Sequence, residues 1–184
     1  LTGGTQTTNA SGIATVGSWT LGTTAGTNNN TLTATSGVLT GSPVTFTASA
    51  TVGAATQIAI NAGDNQTATV GNAVAIAPSV IVRDANNNPV SGVSVTFAVA
   101  TGSGSVTGGT QTTDASGVAT VGSWTLGTTA GANNNTLTAT STGLTGSPLT
   151  FTASATAGAA TQIVINAGNN QTATAGSAVA TPPS

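Results

Sequence analysis

The sequence predicts an all-β chain of tandem antiparallel β-sandwiches. Three observations carry this. Apolar and polar residues alternate with period 2 through much of the chain, helical periodicity is absent, and the chain repeats itself every 105 residues. Shifted by that period, residues 1–79 align without a gap on residues 106–184, and 65 of the 79 positions are identical. The clearest stretch is TGGTQTTDASGVATVGSWTLGTTAG at 107–131, met first as TGGTQTTNASGIATVGSWTLGTTAG at 2–26. One period has the size of one sandwich domain with one core. Residues 1–53 then read as the C-terminal half of a unit, 54–158 as a complete unit, and 159–184 as the N-terminal part of the next. Leu1 is not an initiator Met and no charged, apolar leader precedes it, so the chain reads as a window from a longer array.

The elements follow in order. Thr31–Thr35 and Val44–Ser49 alternate as strands, with Gly41-Ser42-Pro43 as the turn signal between them. In the complete unit, Ile58 and Ile60 mark a first strand, Asn61–Asn65 a turn, and Ala68 and Val70 a short extended piece. Val80-Ile81-Val82 is a second strand, entered through Pro78. Asp84–Pro89 is a loop rich in residues that tolerate turn geometry. The strongest strand sets Val93, Val95, Phe97 and Val99 on one face and Ser94, Thr96 and Ala98 on the other. Val106–Thr113 reads as one weak strand and Asp114–Gly117 as a turn. In Val118–Leu126 the apolar parity slips, from Ala119 and Val121 to Trp124 and Leu126, and a β-bulge at Gly122-Ser123 would reconcile the two. Thr136–Thr140 and Leu149–Thr156 close the unit, giving seven or eight strands, and residues 159–184 open the next unit with its first strand. Trp19, Trp124, Phe97 and Phe151 are the expected bulk of the core.

Composition narrows the function. Arg83 is the single basic residue and Asp64, Asp84 and Asp114 are the acids, for a net charge of −2. One Arg cannot displace the counterions that nucleic-acid binding requires, nor supply the basic cluster that anionic membranes attract. No apolar run approaches the roughly 20 residues of a membrane-spanning helix, so no direct membrane insertion is expected. With no Cys the fold has no disulfide, and with no Lys it has no amine for an isopeptide crosslink.

Catalysis finds no machinery either. His, Cys, Lys, Tyr and Glu are all absent, leaving abundant Ser and Thr without a base to activate them. Asp114 is Asn9 in the other copy and Asp64 is Asn169, so neither carboxylate is a fixed property of the unit. The expectation is no enzyme and no cofactor. Asp84, Asn86 and Asn88 are the candidate oxygen ligands for calcium, although the same residues form turns. The Asn-x-Ser/Thr triplets at Asn9, Asn29, Asn65, Asn134 and Asn170 arise readily by chance in a chain of this composition. On the last two strands Thr136, Thr138, Thr140, Thr150 and Thr152 face outward. β-Propensity accounts for such residues, and the sharper reading is a hydroxyl face for lateral packing of uncharged arrays.

Two segments resemble a known pattern. The V-x-D-x-N-x-N-P-V turn at Val82–Val90 and the T-D-A-x-G-x-A segment at Thr113–Ala119 stand in a frame similar to the bacterial immunoglobulin-like group 1 domain of invasin- and intimin-type surface proteins. The resemblance spans 54–158 and extends to both partial units through the repeat. It implies an immunoglobulin-like sandwich used in tandem as a rigid spacer in an exported protein at the bacterial cell surface, where another domain usually binds. The near-absence of charge departs from the typical member. The expected function is thus a structural spacer of an extracellular stalk or filament, partnered by neighbouring repeats and by lateral self-association. The alternative is an adhesin module whose loops at Asn86–Pro89 or Asn133–Asn135 contact a receptor or glycan. Each unit would add about 40 Å or less of rod, and the short joints at 51–56 and 156–161 would couple neighbours stiffly.

Overall fold

The computed structural model describes residues 1–37 and 39–184, and among these every regular element is a strand. Strands β1 (Gly26–Ala34) and β2 (Val44–Ala50) form an antiparallel hairpin on their own. The next ten strands belong to residues 54–158: β3 (Ala55–Ala62), β4 (Gln66–Thr69), β5 (Ser79–Asp84), β6 (Ser94–Thr101), β7 (Ser105–Thr107), β8 (Thr110–Thr112), β9 (Val118–Thr120), β10 (Ser123–Thr125), β11 (Gly131–Thr140) and β12 (Leu149–Thr156). They make a five-stranded sheet, β4-β12-β11-β6-β8, a three-stranded sheet, β3-β5-β9, and a β7-β10 pair.

The alternation read from the sequence decides which faces meet. Val95 and Phe97 of β6, Leu137 and Ala139 of β11, and Phe151, Ala153 and Ala155 of β12 point inward. Against them lie Ile58 of β3, Val80 and Val82 of β5 and Ala119 of β9, so one core joins both sheets. Trp124 is fully buried within it, and the Phe97 and Phe151 rings pack tilted with centroids 6.4 Å apart. Burial of these apolar side chains is the main force holding the layers together. Thr145 closes one side, its carbonyl accepting from the Ile58 amide at 3.0 Å and its own amide donating to Thr56 at 2.9 Å.

Four features differ from the sequence-based expectation. The single strand at Val106–Thr113 is two, because β7 pairs with β10 whereas β8 pairs with β6, and Gly108-Gly109 turns between them. The parity slip at Gly122-Ser123 is a break rather than a bulge. Here β9, paired to β5, ends and β10, paired to β7, begins, which lets Ala119, Val121, Trp124 and Leu126 all face the core. Gly122 suits the crossing, since a Cβ there would sit 2.8 Å from the Thr107 hydroxyl and 2.9 Å from its carbonyl oxygen. The sandwich is not wholly antiparallel: β4 crosses from the edge of β3 to the other sheet and pairs parallel with β12.

Last, residues 159–184 form no strand, and Ile163 is 98 % exposed. Their counterparts in β3 are held by β5, of which 159–184 contain only the first residue, Ser184 for Ser79; a strand sequence alone does not make a strand. Residues 1–53 show the same logic. They carry counterparts of β7 to β12 but none of β5 and β6, so Trp19 is half-buried and Phe46 is 51 % exposed over an open groove of about 510 Å³.

Arg83 lies within β5, backed by β3 on one side, and is the one bond trypsin can recognise. The folded chain is expected to resist trypsin, and the unfolded chain to yield two fragments, 1–83 and 84–184, on a denaturing gel.

Candidate functional site

The three carboxylates serve the backbone. Asp114 Oδ1 accepts from the amides of Ser116 (2.8 Å) and Val118 (3.0 Å), and Asn9 makes the same pair of bonds to Ser11 (2.9 Å) and Ile13 (3.0 Å). Only an acceptor oxygen is needed, which explains why Asp and Asn alternate there. Asp114→Asn is accordingly expected to shift stability by less than about 0.5 kcal/mol in a urea titration. Asp64 Oδ1 accepts from the Asn65 and Thr152 amides, both at 2.8 Å, and so pins the turn before β4 to β12.

Asp84 is different, because it gathers three segments. It sits at the end of β5, only 2 % exposed. Its Oδ1 accepts from the amides of Asn86 (2.9 Å) and Asn88 (2.8 Å), which folds the 84–89 loop back on itself. Its Oδ2 accepts from the Asn88 side-chain Nδ2 (3.0 Å) and from the Gly53 amide (2.9 Å) in the segment linking β2 to β3. Asn88, also buried, continues outward: Oδ1 accepts from the Ala25 amide (2.9 Å) and Nδ2 donates to the Thr23 carbonyl (2.9 Å). Asn87, at positive φ, turns its side chain to accept from Gln57 Nε2 at 2.9 Å. With Asn88 as the leading cause and the Gly53, Asn88 and Asn86 amides assisting against desolvation, these donors hold the Asp84 carboxyl down at about 2.

Of the calcium candidates, Asp84 and Asn88 therefore point their oxygens at N–H donors, while Asn86 contributes its amide to Asp84 and is itself exposed. A cation would have to displace those donors. Calcium titration is expected to leave the melting temperature unchanged. Among the described residues, no three His, Cys, Asp or Glu side chains come together.

The threonine face lies on the outer side of the five-stranded sheet, where Thr136 stands opposite Thr152 and Thr138 opposite Thr150. It is less free than its alternation implies. Thr136 shares a hydrogen bond with Thr101 (2.8 Å), Thr138 donates to the Ala98 carbonyl (3.2 Å), and Thr152 donates to Asn65 Oδ1 (2.8 Å). Thr140 and Thr150 are exposed.

Sequence reasoning reads 84–89 as a turn and misses its contact with residues 23–25. The available signal is the pairing of Asp84 with Asn88 next to a short linker, and it does not name the distant partner. Neither a scan against protein-family models nor a search of curated proteins returns a match.

Proposed function

We propose that this chain is a structural spacer segment of a long extracellular bacterial surface protein, built of tandem immunoglobulin-like sandwiches that form a stalk or filament. The observation that carries this reading is the joint. A sandwich with its own core is separated from the β1-β2 hairpin by residues 51–54 alone, and Asp84 and Asn88 bond across that link to Gly53, Ala25 and Thr23. A short, cross-bonded connection transmits orientation from one segment to the next, as a spacer requires.

Recurrence of local geometry at the sequence period supports the tandem arrangement. The Thr2–Ser18 side-chain bond recurs as Thr107–Ser123, and the Gln66 side chain that closes Gly63 and Ile76 recurs as Gln171 on Gly168 and Thr181. The use of all three carboxylates as backbone acceptors supports a non-enzymatic role. The adhesin alternative has less surface to work with: Asn88 is buried in the joint, and Asn134 and Asn135 are tied to Thr129 and Gly127. The exposed Thr140 and Thr150 leave room for lateral contact between arrays.

Electron microscopy of the native assembly that carries this sequence tests the reading. Thin beaded strings would identify a stalk, and ordered tubes or sheaths would identify a filament built by the repeats themselves. Compact particles with neither form would overturn it.

A further inference from the structure

The frame that receives the 84–88 loop exists twice in this chain and is occupied once. Thr23, Ala25 and Gly53 meet Asn88 and Asp84, and the residues one period later are Thr128, Ala130 and Gly158. The two frames agree bond by bond. The Asn29 side chain donates to the Thr24 carbonyl at 2.7 Å, as Asn134 does to Thr129 at 2.7 Å. The Ala50 amide donates to Asn29 at 3.3 Å, as Ala155 does to Asn134 at 3.3 Å. The Asn28 amide donates to Ser49 at 2.9 Å, as Asn133 does to Ser154 at 2.9 Å. Among the described residues nothing bonds the Ala130 amide, the Gly158 amide or the Thr128 carbonyl, and all three residues are exposed.

We infer that Thr128, Ala130 and Gly158 form a docking site for a second loop of the Asp-x-Asn-x-Asn-Pro type, presented by a following unit. The inference rests on the tandem reading above and adds the recognition chemistry of the joint. The site offers two N–H donors and one carbonyl acceptor. In the occupied copy one primary amide meets the first two, Asn88 accepting from Ala25 through Oδ1 and donating to Thr23 through Nδ2, and the Asp84 carboxylate accepts from Gly53; the same pair of side chains would serve Ala130, Thr128 and Gly158. The other carboxylate next to a primary amide, Asp64 with Asn65, is already engaged with Thr152. Residues 159–184, which nearly repeat 54–79, provide after Gly158 the same sequence context that precedes β5 and its loop. Each joint would then be made by the same two side chains, and every unit would carry the loop at one end and its receptor at the other.

The test is amide hydrogen exchange in two chains: the present one, and the same chain with a copy of residues 80–158 appended after Ser184, which continues the period. In the present chain, Asn88→Ala should speed exchange at Ala25 and Asp84→Ala at Gly53, while Ala130 and Gly158 already exchange freely. In the extended chain, exchange at Ala130 and Gly158 should slow by about tenfold or more. Replacing the aspartate and the last asparagine of the appended loop by alanine should restore fast exchange. An appended unit that folds, with its own protected core amides, but leaves Ala130 and Gly158 fast would overturn the inference and leave the spacer reading standing. An appended segment that fails to fold would overturn both.

Discussion

Trp124→Ala is expected to cost the fold about 3–5 kcal/mol, read as a shift in the urea midpoint, because it empties the largest fully buried side chain from the core. The repeat provides an internal comparison. Trp19 occupies the corresponding place in residues 1–53 yet is only half-buried, so Trp19→Ala should cost far less despite the same local sequence. Fluorescence separates the two without mutation: the emission of Trp124 should be blue-shifted and shielded from acrylamide, and that of Trp19 should be quenched. The indole Nε1 of Trp124 has no hydrogen-bond partner among the described residues. Trp124→Phe therefore breaks no hydrogen bond and should fall well short of the alanine variant. Equal effects of Trp124→Ala and Trp19→Ala would mean that the core is not where the burial pattern locates it.

Asp84 should make the joint sensitive to acid. Its carboxyl is held at about 2 in the folded chain against an ordinary value of 3.8. A depressed carboxylate stabilises fully above its unfolded value, and the contribution disappears as pH falls through the folded one. Wild-type stability should thus decline between about pH 4 and pH 2. Asp84→Asn should lower the melting temperature at neutral pH and flatten that acid limb. The same variant should release the Gly53 amide to exchange, since the accepting oxygen is then part of a neutral group that competes for its own partners. An acid limb unchanged in Asp84→Asn would assign the transition to another group.

Much of the strand content is legible in the sequence, because one buried face imposes alternation. Val95 and Phe97 with exposed Ser94, Thr96 and Ala98 is the clearest case. Pairing partners are less legible. Parity marks the irregularity at Gly122, yet an abrupt change of partner and a bulge leave the same trace in a sequence. Direction is invisible too, since a period-2 pattern is identical for parallel and antiparallel strands, and so the β4-β12 pair escapes notice. Residues 159–165 expose a further limit: they nearly repeat Ala54–Ile60, yet lack strand structure where no β5 pairs with them. The joint was hidden for a similar reason. Asp84 and Asn88 have the local signature of a turn, and the residues they hold lie far off in the sequence, Gly53 at 31 positions from Asp84 and Ala25 and Thr23 at 63 and 65 from Asn88.

The parallel pairing of β4 with β12 has a mechanical consequence. The strand near the beginning of the sandwich lies beside its last strand, with Gln66 to Thr69 in register with Ala153 to Thr156. Tension applied along the chain draws these two strands past each other in opposite directions. Their rungs are then loaded together in shear and must yield nearly at once, whereas an antiparallel hairpin pulled from its open end unzips one rung at a time. Resistance to such a pull is a matter of unfolding rate rather than equilibrium stability. A chain with so little charge, and with Ala153 and Ala155 among its core residues, can therefore bear load through the placement of its end strands more than through the depth of its core.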